Sequence, residues 1–293
     1  MSAVGSAPGP PAPGPPAPGA VSSVPDAVRA PRLRPYAALT RISVRSLLVH
    51  RLNFVLGTFA MLFQLVAMLS IWAVLLRSGA AIAGFSWPEM KAYLLVAYAT
   101  GAVLFFTDYR LAWRIRDGIV AVDLTKPVDF QRARFAEAAG AGTVEIGFAA
   151  LVCGLVIAVS GGVAVPEAGQ AALFVASFAL VLPLKFCLSY LTAMTCFWTQ
   201  NVFGVAMTRM AVTNLFSGAL VPLVLLPGWL QTVALVLPFA GITSTPALIF
   251  VGRATGGDAV RLIVLQAFWV ALLWWGSRLA WRTAVRQLTV HGG

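Results

Sequence analysis

Charge is what this 293-residue sequence has least of: ten Asp and Glu, three Lys and two His, with charged residues making up 11% of the chain. Soluble domains carry about 25%, so a soluble globular fold is excluded. His50 and His291 lie near the margins of the apolar region, and neither GxSxG nor HExxH occurs. No nucleophile and base can be assembled, which removes an intramembrane enzyme. Cysteine is scarce as well. Cys153, Cys187 and Cys196 lie inside apolar segments without CxxC or Cys/His spacing, which argues against a disulfide framework or a metal site and leaves them as small core residues.

What is present is apolar: 59% hydrophobic residues and a mean hydropathy of +0.86. The chain reads as an all-α integral membrane protein. Runs long enough to cross a hydrocarbon core of about 30 Å, about 20 residues each, are expected at 53–76, 91–112, 137–160, 170–197, 202–226 and 259–279. The net charge of +11 does not point to nucleic acid, because the basic residues flank apolar runs and form no stripe interleaved with aromatics. It reports topology. Six Lys and Arg precede the first run, six lie between the second and third, and three fall at or beyond the end of the last, against four in the remaining loops (Arg77, Lys91, Arg253 and Arg261). By the positive-inside rule both termini and the central loop face the cytoplasm of a plasma (inner) membrane. The preference for Arg over Lys, 18 to three, with abundant Ala and Gly, suggests a GC-rich bacterial source.

Residues 1–35 hold ten of the 18 prolines and are read as a disordered cytoplasmic tail, not a secretory signal, since the first basic residue is Arg29. Over 36–52, Leu39, Ile42, Ser46 and Val49 follow one helical face and Arg41, Arg45 and Arg51 another, as in an amphipathic helix lying on the inner leaflet. Ser86 and Glu89 read as a capping box. Ala150, Gly154, Ala158 and Gly162, spaced by four, form a stripe expected to pack within the subunit. Pro227, Pro238 and Pro246 break residues 227–250 into pieces too short to span, and Trp229 suits the interface. This segment is expected to dip into the membrane as short re-entrant outer helices. Residues 287–293 form a cytoplasmic C-terminal tail.

The central loop, residues 113–135, is the most charged part of the chain. Gly118 permits a sharp bend and Pro127 ends or turns the segment. Arg114, Arg116, Asp117, Asp123, Lys126 and Asp129 then offer a mixed-charge surface that fixes register with a partner. Gly118, Leu124, Lys126 and Pro127 resemble the "G, then L, then KP" loop of the ABC-2 type exporter permeases. The six runs, the amphipathic N-terminal helix and the Pro-broken outer segment resemble that family over roughly Tyr36 to Arg286. The resemblance implies a six-helix transmembrane domain over 53–286. Its loop, with Arg114, Arg116, Asp117, Gly118, Asp123, Leu124, Lys126 and Pro127, would seat in a cytoplasmic nucleotide-binding ATPase subunit that binds ATP and Mg. A second permease, identical or homologous, would complete the path, with membrane lipid around it. Pro227, Trp229, Pro238, Phe239 and Pro246 would form an outer gate. The sequence has no GxxxxGK[ST] phosphate cradle, so ATP-driven work has to come from another chain and no cofactor is expected in this one.

A path lined by the first, second and fifth runs offers Asn53, Gln64, Thr107, Asn214 and Ser217 as polar contacts and Phe59, Phe63, Phe105 and Phe216 as aromatic ones, suited to a lipid-like, amphipathic or drug-like cargo. Asp108 lies near the inner end of the second run. Glu145 and Lys185 are ionisable residues within apolar runs. They read either as an ion pair locking two helices or as the site of an ion-coupled secondary transporter. That alternative expects related halves with matching breaks, and only one Pro-broken region is visible.

Overall fold

The computed structural model describes residues 34–49, 51–76, 82–105, 110–199 and 202–287. Thr107, Asp108, the outer-loop Arg77 and nearly all of both predicted tails lie outside them. Among the described residues the fold is all-helical, without a strand. The chain runs through α1 (Arg34–Val49), α2 (Arg51–Leu76), α3 (Trp87–Ala102), α4 (Arg110–Arg116), α5 (Val120–Leu124) and α6 (Phe130–Ser160). It continues through α7 (Ala168–Met194), α8 (Val202–Phe216), α9 (Gly228–Val236), α10 (Ser244–Phe250) and α11 (Gly256–Ala284). Among the described residues, four stretches are long and apolar enough to cross a membrane: Val55–Leu76, Phe130–Ser160, Ala168–Phe197 and Gly256–Ala284.

The second and fifth predicted runs come out differently. The apolar sequence at 91–112 does not continue as one helix. α3 stops at Ala102 after 16 residues, about 24 Å, and Leu104 takes a left-handed φ of 59°. α8 has 15 residues, about 22 Å, and ends before Gly218, whose φ is 80°. A Cβ at Gly218 would meet the Tyr93 hydroxyl at 2.7 Å, and that hydroxyl donates to the Gly218 carbonyl at 2.8 Å.

A buried polar side chain and an aromatic stack tie the long helices together. On α11, Gln266 donates to the carbonyls of Ser177 (2.9 Å) and Gly241 (2.8 Å) and accepts from the Ser177 hydroxyl (2.8 Å). It thereby joins α7, α11 and the 3-10 turn Pro238–Gly241. At the other end of α11, Phe130 stacks on Trp281 with centroids 4.0 Å apart. The capping box is present: the Glu89 carboxylate accepts from Ser86 N (2.7 Å) and Oγ (2.8 Å), and Arg253 pairs with it at 3.3 Å.

α1 seats on the start of α6, where the Thr40 hydroxyl donates to Ala136 O at 3.0 Å. The buried member of α1 is Ser43, while Ile42 is exposed. The protein-facing side is therefore Thr40 and Ser43, and Ile42 points elsewhere. The small-residue stripe corrects an expectation: Ala150, Gly154 and Ala158 are exposed on α6 and Gly162 lies beyond its end. Packing inside the subunit uses the opposite side, Glu145, Ala149 and Val152.

Candidate functional site

The central loop folds as a helical elbow. α4 ends at Arg116, Gly118 turns the chain with φ 70°, and α5 follows. Asp123 is not on the outer surface of this elbow. It is 4% exposed and gathers Arg114 Nη2 (2.6 Å), Lys126 Nζ (2.8 Å) and Arg134 Nη1 (3.6 Å). Burial on its own would raise the Asp123 carboxyl, but the hydrogen bonds from Lys126 and Arg114 and the charges of Arg134 and Arg114 outweigh it, so the pKa lies below its ordinary value. One carboxylate thus staples α4, α5 and the second turn of α6. Asp129 caps α6, accepting from Arg132 N at 2.8 Å.

The outer side of the elbow is apolar as well as charged. Val122 is 62% exposed, and Trp113, Ile119 and Leu124 are exposed beside it. The Arg116 guanidinium lies 3.9 Å over the Trp113 ring and pairs with Asp117 at 2.9 Å. The inner side, Ala112, Ile115 and Val120, joins the cluster of Tyr190, Met194, Cys196 and Val202 at the ends of α7 and α8. A push on the elbow therefore meets packed side chains of both helices.

Glu145 and Lys185 converge on the break in α3. Glu145 Oε2 accepts from Leu104 N at 2.7 Å, and Lys185 Nζ donates to the carbonyls of Thr100 (3.1 Å) and Gly101 (3.0 Å). A helix end leaves carbonyls without partners and carries partial negative charge; an ammonium there satisfies both. The two side chains hold the backbone on either side of Ala102, just after Gly101. Lys91 does the same for α6, donating to Ser160 O and Gly161 O. Sequence reasoning placed Lys91 in an outer loop and missed this role, because nothing local to it announces the end of a helix 69 residues away.

Beside the break lies a cavity of about 470 Å³ between α2, α3, α7 and α8. Of the expected path residues, Gln64, Phe105, Asn214 and Ser217 line it. Phe59 and Phe63 do not: they are 67% and 76% exposed on the outer face of α2. Phe216 packs instead against Leu223, Ala234 and Ala240 and lies 6.3 Å from Phe239. Lys185 and Arg209 also line the cavity, as does Thr243, whose hydroxyl is 3.1 Å from that of Thr100.

The Pro-broken segment supplies the remaining wall. Pro227 caps α9, Trp229 is exposed, and Pro238 opens the buried turn. Pro246 is buried in α10 along with Ser244, Thr245, Ala247 and Ile249. A Cβ on Gly241 would lie 3.0 Å from Leu184, so the turn presses directly on α7. Among the described residues no cluster of His, Cys, Asp and Glu is arranged to hold a metal ion.

Residues 62–292 match the family model described as ABC-2 family transporter protein. No curated protein matches the chain.

Proposed function

The chain belongs to the ABC-2 transporter family, and we propose that it is the permease subunit of an exporter powered by a separate ATPase. Membership makes it a multi-pass membrane component of transport, and in general implies an associated ATP-binding subunit. The observation that carries the finer reading is the elbow. An exposed apolar tip of Ile119, Val122 and Leu124 is unfavourable in water and suits a cleft in a cytoplasmic partner. Arg116 and Asp117 set register at its rim, and Asp123, Arg114 and Lys126 act behind it as the brace. ATP and Mg would be held by the partner. ATP-driven closure of the partner would press the tip, and the packing onto α7 and α8 would carry the motion to the cavity as rigid-body rotation.

In this reading the chain crosses the membrane six times with both termini in the cytoplasm, α3 and α8 completing the four long spans. α9, the turn and α10 would be re-entrant. Burial of α10 against α3 and α7 supports this, since backbone at membrane depth needs a protein cover. The outer face of α2, with Phe59 and Phe63, would meet a second permease or lipid. The ion-coupled alternative gains little, because Glu145 and Lys185 are both engaged with the backbone of α3.

The test is a mild-detergent pull-down of the tagged chain from its native host. Recovery of a Walker-motif ATPase is expected, and a second, different permease in the eluate would mean a heterodimer. A cross-linked preparation that repeatedly contains no ATPase would overturn the reading.

A further inference from the structure

We propose that a small pocket between α1, α4, α6 and α7 receives a phosphate group, held by the hydroxyls of Ser43 and Tyr190 and the guanidinium of Arg134. The proposal goes beyond the permease reading and takes only its topology from it. The pocket, about 60 Å³, is lined by Ser43 of α1, Arg110 of α4, Arg134 and Glu137 of α6 and Tyr190 of α7, among others. Ser43, Arg134 and Tyr190 are 4%, 6% and 1% exposed. Their Oγ, Nε and Oη atoms find no hydrogen-bond partner among the described residues. An unsatisfied buried polar group calls for an explanation. Three such groups, from three helices around one void, share one if a ligand sits there.

The groups define that ligand. Arg134 Nε can only donate and both hydroxyls can donate, so it has to present several acceptors in different directions. Arg134 Nη1 is met by Glu137 at 2.9 Å and Asp123 at 3.6 Å, so the charge of Arg134 is answered while its Nε is not. The lining holds Arg110 and Arg134 against Glu137, a balance that disfavours a cation and admits a singly charged anion. Tetrahedral phosphate oxygens match donors converging from separate helices, and bonds to an ionised acceptor are the strong ones. Arg134 lies one turn inside the start of α6, and Tyr190 one turn before the end of α7. In the permease reading these ends meet the inner leaflet beside α1, which sets the pocket at head-group depth. About 60 Å³ is the liquid volume of about two waters, room for a head group and none for an acyl chain. A phospholipid head there would tie α1 and the base of the elbow to α7.

In the experiment the full chain, with whatever ATPase co-purifies, is stripped of lipid in detergent. It is titrated with dioleoylphosphatidylglycerol or dioleoylglycerol, and native mass spectrometry counts the first molecule bound. The phospholipid is expected to bind about 10- to 100-fold more tightly, the range of a hydrogen bond to a charged group. Tyr190→Phe keeps the ring among Phe130, Phe186 and Trp281; this variant and Ser43→Ala should each lower that affinity about 3- to 10-fold. Arg41→Gln, on the exposed side of α1, should leave it unchanged. Neither hydroxyl has a partner in the empty pocket, so neither loss should lower the Tm of the stripped chain. A rise in Tm with inorganic phosphate that Tyr190→Phe abolishes would assign the group to a free anion, and lipid preference without that rise assigns it to a phospholipid head. Equal affinity for the two lipids with no phosphate-dependent rise, or a phospholipid affinity undiminished in both variants, overturns the proposal. So does a Tm lowered in both variants, which would make the hydroxyls structural. None of these outcomes depends on an ATPase, so the permease reading is tested separately.

Discussion

Lys185→Met tests whether the break in α3 is held by side chains distant in sequence. The substitution keeps volume and removes the donor to Thr100 O and Gly101 O, together with the counter-charge acting on Glu145. Leaving these two carbonyls without a donor at the break costs about 1–3 kcal/mol each. Glu145→Gln retains an acceptor for Leu104 N but loses the charge, at about 1–2 kcal/mol. If the two act on one element, the double variant is destabilised by less than the sum, with a coupling of about 1–3 kcal/mol. Thermal melting followed by fluorescence-detected size exclusion reads this. A loss of about 3 kcal/mol lowers Tm by about 6–12 °C. A Lys185→Met Tm equal to the parent's, or strictly additive effects, would refute the clamp. Transport whose pH dependence vanishes in Glu145→Gln while Tm holds would favour an ion site instead.

Other expectations concern the elbow and its seat. Because the Asp123 pKa is lowered in the fold, the stability it contributes is complete above the unfolded value of about 3.9 and is lost as pH falls through the folded one. Protease resistance of the elbow should thus be flat from pH 5 to 8 and drop below pH 4. Asp123→Asn should abolish that drop and cost about 1–3 kcal/mol at neutral pH. Gly118→Val forces a β-branched residue to φ 70°, costing about 1–2 kcal/mol; a Cβ there meets nothing within 4 Å. ATPase association should therefore fall while insertion and Tm of the spans are kept. Gly140→Ala would put a Cβ 2.4 Å from Thr40 O, so α1 should lift from α6, at about 1–3 kcal/mol, as seen by faster proteolysis near Thr40.

The features legible in the sequence are those with local chemistry. Ser86 and Glu89 sit at cap spacing and form the cap, Gly118 bends where a left-handed residue was needed, and Pro227 and Pro238 open short outer helices while Pro246 lies in the first turn of α10. The misreadings have a common cause. Ala102 to Phe105 is as apolar as its neighbours, so periodicity continues a helix that Glu145 and Lys185, 41 to 85 residues from the groups they bond, in fact end. Asp123 looks like a surface charge in a charged loop, but three cations drawn from α4, α6 and the turn after α5 bury it. The α6 stripe shows the converse: spacing by four identifies a face and does not say whether the chain's own helices cover it. Phe59 and Phe63 show the same limit: they share an exposed face of α2, and neither sequence nor exposure says what meets that face.

The central claim is that the elbow is the contact with an ATPase. A photo-crosslinking residue, p-benzoylphenylalanine, placed at Val122 and activated in intact membranes, tests it most directly, with Val165, an exposed residue between α6 and α7, as the control position. The account predicts a covalent adduct from position 122, and none from 165, whose partner carries a Walker motif. Adducts only to lipid from position 122, or the same ATPase adduct from both positions, would contradict it.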